Sequence, residues 1–145
     1  MKNIVLAMAL LLILPALCFP ADLTPGEKRR IGSNAEDALM EIISLWKGGR
    51  YEDLYEYGHR TDQVGLSRES FIAQMKRKSW ELASSWETIQ NIEADVASAT
   101  LVYLRAKVGF KRKTGGDTRF STVTFQMIFE GDRWRTSLFK ILSSP

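Results

Sequence analysis

The chain has one histidine, His59, set in a short run of proton-handling groups: Tyr55, Tyr57, His59 and Asp62. An imidazole titrates near neutral pH, and a carboxylate three residues away could orient it as a general base. His59 as base and Asp62 as orienter are therefore the candidate catalytic residues, for chemistry of the isomerase, cyclase or dehydratase kind. The plainer reading is a solvated loop with the tyrosines packed beneath it. Trp46, Trp80, Trp86 and Trp134 form a second set. Trp46 continues an apolar helical stripe and reads as core, whereas Trp80 lies off the best stripe of its own segment. Trp80 and Trp86, with Tyr55 and Tyr57, are the candidate ligand-binding residues, suited to a small apolar ligand or to a dimer surface.

Other chemistries lack their residues. The sequence has no glycine-rich phosphate loop, no Cys/His metal spacing and no nucleophile elbow, so no metal or nucleotide cofactor is implied. The basic residues Arg105, Lys107, Lys111, Arg112 and Lys113, with Arg133 and Arg135, would suit an acidic partner or anionic lipid. Glu87, Glu93 and Asp95 could instead neutralise them on a solvated sheet face. The formal charge of +3 is a mild excess that argues against a dedicated nucleic-acid binder.

These side chains must be positioned by the surrounding elements. From Thr100 to Arg112, Val102, Leu104, Ala106, Val108 and Phe110 alternate with Tyr103, Arg105 and Lys107, the period of a half-buried strand. A charged loop with paired glycines, Gly115 and Gly116, leads to a second strand from Arg119 to Glu130. There Val123, Phe125, Met127 and Phe129 share a face. Trp134 to Leu142 reads as a third strand with a bulge near Leu138, because the apolar parity changes there. A weaker fourth strand runs from Trp86 to about Val96.

Upstream, Ile31, Ala35, Leu39, Ile42 and Trp46 recur at helical spacing from Glu27 until Gly48 and Gly49 stop the run. A short helix follows over Arg50 to Tyr57. A third helix runs from an N-cap at Ser67 to about Leu82. Residues 1–21 read as an export signal: Lys2, then an apolar run from Ile4 to Leu14 that is too short to span a membrane. Export to a bacterial periplasm or beyond is expected, with no transmembrane segment in the mature chain. Leu17 before Cys18 argues against lipidation. Residues 22–145 make a single domain without a cysteine pair.

Helices followed by strands indicate an α+β domain, with N-terminal helices on one face of a curved antiparallel sheet of about four strands. The element order and three segments resemble the nuclear transport factor 2-like, or cystatin-like, superfamily, which includes ketosteroid isomerases and polyketide cyclases. The segments are Trp46-Lys47-Gly48-Gly49-Arg50-Tyr51-Glu52-Asp53-Leu54-Tyr55, Leu66-Ser67-Arg68-Glu69-Ser70-Phe71, and Glu130-Gly131-Asp132-Arg133-Trp134-Arg135. The resemblance implies a cone-shaped fold with a pocket at its open end, but the isomerase catalytic positions do not map onto this chain residue by residue. The expected function is a non-catalytic exported binding or interaction domain, using a small apolar pocket or its sheet face. A homodimer through that face is a further expectation. The alternatives are an enzyme using His59 and Asp62, and a cell-envelope accessory that docks through the sheet.

Overall fold

The computed structural model describes residues 21–145; the export-signal reading, including Cys18, lies outside the described residues. Helix α1, Pro25–Lys47, starts two residues ahead of the expected Glu27, behind a strong cap at Thr24. The Thr24 hydroxyl accepts from the Glu27 N–H at 3.2 Å, and the Glu27 carboxylate accepts from the Thr24 N–H at 2.8 Å, so two otherwise orphaned donors are satisfied. These bonds hold the Glu27 carboxyl below its ordinary value. Its contribution to stability is therefore present above the ordinary carboxylate range and is lost as pH falls through the lower folded value. Glu27→Gln should accordingly flatten the acid limb of the melting temperature against pH, measured by circular dichroism.

Three shorter helices follow: α2 Tyr51–Tyr55, α3 Arg60–Gly65 and α4 Arg68–Arg77. The expected third helix does not reach Leu82. It ends at Arg77, because Lys78 is already extended and Trp80–Leu82 pairs as β1 with the end of the long strand β3, Leu101–Arg112. Strand β2, Ile89–Ser98, pairs with the rest of the same edge of β3. β1 and β2 are thus one interrupted edge, with a turn at Ser85–Glu87 between them. The interruption sits over Gly109, which donates to the Thr88 carbonyl at 3.1 Å and accepts from the Ala83 N–H at 2.8 Å.

β3 pairs in uninterrupted register with β4, Arg119–Glu130, and β4 pairs with the short β5, Arg133–Arg135. The expected strand from Trp134 to Leu142 is corrected here. After Arg135 the chain becomes helix α5, Leu138–Ser143, capped by the Ser137 hydroxyl on the Lys140 N–H. The change of apolar parity near Leu138 marks this strand-to-helix passage rather than a bulge: Leu138 and Ile141 are buried at helical spacing while Phe139 is exposed.

The result is an α+β fold with helices on one face of a curled antiparallel sheet. The inner face presents Val102, Leu104, Phe110, Phe125 and Met127 to Leu39, Ile42 and Trp46 of α1, and all of them are buried in one cluster. The rings of Trp46 and Phe110 meet at 6.1 Å. Phe129 shares the inward parity but is 40% exposed, edge-on at 5.4 Å to Trp134, which takes the buried place. Among the described residues no helix is long and apolar enough to cross a membrane.

Candidate functional site

The run from Tyr55 to Asp62 is not an open loop. His59 sits at the N-cap of α3 and is 5% exposed. Nε2 lies 3.1 Å from the Gln126 carbonyl oxygen of β4; since a carbonyl only accepts, Nε2 carries the proton. β5 pairs with β4 only as far as Ile128, so the imidazole takes up a strand carbonyl beyond the end of that pairing. Asp62 is committed elsewhere: its Oδ2 accepts from the Ser137 hydroxyl at 2.9 Å and from the Leu138 N–H at 2.8 Å. It thereby caps α5, whose first N–H groups have no intrahelical partner.

The tyrosines are similarly engaged. Tyr55 donates its hydroxyl to the Leu66 carbonyl at 2.6 Å, and its ring lies 5.8 Å from that of Phe71. The Tyr57 carbonyl accepts from the Thr136 N–H at 2.8 Å, and the Thr136 carbonyl accepts from the His59 N–H at 2.9 Å. This short parallel pairing requires Gly58: a Cβ there would run into the Leu138 side chain.

Arg135 completes the junction. Its Nη1 donates to the carbonyls of Glu56 at 2.6 Å and Gly58 at 3.3 Å, and its Nε lies 3.8 Å from the Glu130 carboxylate. The Glu130 carboxylate also accepts from the Arg60 N–H at 3.0 Å. The cluster therefore acts as a latch that ties the α2–α3 connection to the end of the sheet. Arg135, Thr136 and Ser137 were not legible as its members, although Ser137 ahead of Leu138 and Ile141 carried an N-cap signal. One atom in the latch is left over: among the described residues the buried Thr136 hydroxyl has no hydrogen-bond partner. Thr136→Val should therefore raise stability by about 1 kcal/mol, because it removes an unsatisfied polar group at equal shape; the urea midpoint reads this.

Trp80 and Trp86 are not part of this cluster. Trp80 pairs with Arg112, while His59 bonds at Gln126. Arg119, whose guanidinium lies over the Trp80 ring, is seven residues along β4 from Gln126, roughly 24 Å at strand rise. The structure brings Tyr55, Tyr57, His59 and Asp62 together and places the two tryptophans at the far end of the sheet.

Open grooves remain. One, about 620 Å³, runs between the first half of α1 and the edge strand β2, lined by Lys28, Arg29, Gly32, Glu36, Ala94 and Val96. Two more, each about 310 Å³, lie on the sheet face that carries Glu93, Tyr103, Arg105, Thr122 and Thr124. Compared with known proteins, the chain matches no family model and no curated protein.

Proposed function

We propose that this chain is a non-catalytic interaction domain, exported from the cell, that docks the outer face of its sheet on a second copy of itself. The observation that carries the reading is the contrast between the two faces of β3 and β4. Leu104, Phe110, Phe125 and Met127 are sealed beneath the helices, while Arg105, Lys107, Thr122, Thr124 and Gln126 are exposed on the other side. An antiparallel sheet tolerates one solvated face, and that face is also available to a partner. It carries both signs of charge: Arg105 paired with Glu93, and Lys107 and Asp95 nearby in the register. A two-fold axis can set the acidic side of one copy against the basic side of the other.

The nuclear transport factor 2-like resemblance belongs to the same proposal and is supported by the order of helices and strands. The apolar-pocket version has less support, since the inner face is filled by side chains. The enzyme reading needs His59 and Asp62 to work together, and each is occupied with a different partner. Light scattering on the full chain tests the proposal. Twice the chain's mass is expected, reverting to a monomer in a Tyr103→Glu, Thr124→Glu variant; a strict monomer at every concentration would refute self-docking.

A further inference from the structure

The far end of the sheet holds aromatic and basic side chains, of which the docking proposal draws on Lys107 alone. The Trp80 ring has the Arg112 guanidinium carbon 5.2 Å and the Arg119 guanidinium carbon 5.4 Å from its centroid. On the neighbouring strands Lys107 Nζ lies 4.3 Å over the Phe120 ring. Trp86 is 72% exposed, and its neighbour Glu87 accepts from the Thr118 hydroxyl at 2.6 Å. This contact places Trp86 beside the β3–β4 hairpin.

The ion pairs among the described residues occupy Arg50, Arg68, Arg105, Arg133 and Arg135. Arg112, Lys113 and Arg119 have no carboxylate partner there, and all are exposed. Stacking on an aromatic face orients a guanidinium without consuming its N–H donors. Arg112 and Arg119 are therefore held in place with those donors free, next to Lys113, whose Nζ donates to the Lys76 carbonyl at 3.3 Å.

From this geometry we infer that the hairpin end, with Trp80, Trp86, Arg112, Lys113 and Arg119, seats on the phosphate headgroups of an anionic membrane surface. Guanidiniums with free donors match phosphate oxygens. An exposed indole beside them settles at headgroup depth. The hairpin residues from Arg112 to Asp117 are exposed and the grooves described above do not reach them, which fits an extended surface better than an enclosed small molecule. Single-stranded nucleic acid would need a series of bare rings for base stacking; those of Trp80 and Phe120 already carry cations, which leaves Trp86 alone.

Sedimentation of the full chain with vesicles tests this inference. Binding is expected to phosphatidylglycerol mixed with phosphatidylcholine and not to phosphatidylcholine alone, with release at high salt. The double variant Arg112→Gln, Arg119→Gln should lower partitioning by about thirtyfold. Trp86→Ala should lower it several-fold with unchanged melting, and Arg50→Gln, at an exposed arginine outside both surfaces, should leave it alone. If the double variant does not fold, Lys113→Gln with Lys76→Gln, which leaves the Trp80 stack intact, should still reduce binding. Equal binding to neutral vesicles, retention by all of these variants, or tighter binding of a single-stranded oligonucleotide would overturn the inference. So would displacement by inorganic phosphate at matched ionic strength, which would assign the site to a free anion. Tyr103 and Thr124 take no part here, so this inference and the docking proposal fail separately.

Discussion

Gly109→Ala should destabilise the protein by about 3–5 kcal/mol, read as a drop in the urea midpoint at unchanged slope. The position has no room for a side chain. A Cβ at Gly109 would overlap the Glu87 carbonyl oxygen and would lie 3.0 Å from Thr118 Cγ2 and 3.1 Å from Ala83 Cβ. The carbonyl cannot simply turn aside, because the turn that carries it is pinned: the Thr88 hydroxyl donates to the Ala83 carbonyl at 2.6 Å and to the Ser85 carbonyl at 3.0 Å. Moving the turn would also break the two backbone hydrogen bonds of Gly109, each worth about 1 kcal/mol net. That loss is a large share of the roughly 5–15 kcal/mol that stabilises a typical domain. Gly65 is the control: a Cβ there meets nothing within 4 Å, so Gly65→Ala should be neutral or slightly stabilising.

Phe125→Ala should cost about 3–5 kcal/mol, while Phe129→Ala on the same strand and with the same parity should cost roughly 1 kcal/mol. Phe125 is 1% exposed, opposite Leu104 in the register and in the same buried cluster as Leu39 and Ile42. Its removal leaves a cavity where α1 meets the sheet. Phe129 borders solvent and packs against Trp134 alone among the aromatic rings. Chemical denaturation of the two variants side by side measures the difference. Similar losses at both sites would mean that α1 does not close over the inner face as described.

That pair of residues also shows where the sequence was informative. Period two placed Val102, Leu104, Phe110 and Phe125 correctly, because one face of the long strands is buried over nearly its whole length and the pattern records burial. It put Phe129 on the right face but overstated its burial, since parity says which way a side chain points and not whether a helix lies above it. The first helix was legible from its stripe and its glycine stop, although it starts at Pro25, two residues ahead of Glu27. The third helix was drawn too long because Trp80–Leu82 is a strand of only three residues, too short to show a period. The last segment was misread for a related reason: with Trp134 alone before Ser137, and Leu138, Phe139, Ile141 and Leu142 after it, the apolar pattern is too short to separate a bulge from a change of element, although that serine was the informative residue.

The candidate site was legible as a neighbourhood and not as chemistry. Tyr55, Tyr57, His59 and Asp62 do come together, but what they bond to is set by residues from 66 to 138. Gln126, Thr136, Ser137 and Leu138 become partners only once β5 folds back beside α3. No local spacing announces that a histidine will serve a strand carbonyl, or that an aspartate will cap a helix 75 residues away. The tryptophans stand apart for the same reason: β3 and β4 are long, and residues grouped by type were distributed to their two ends.

The central claim is that the outer sheet face is the working surface, and crosslinking through Thr124 tests it most directly. Thr124 is exposed, opposite Arg105 at the middle of that face. In a Cys18→Ser background, Thr124→Cys should form an interchain disulfide rapidly under mild oxidation, while Asp37→Cys on the exposed side of α1 should not. Equal and slow crosslinking at both positions, in a chain that remains folded, would contradict the account.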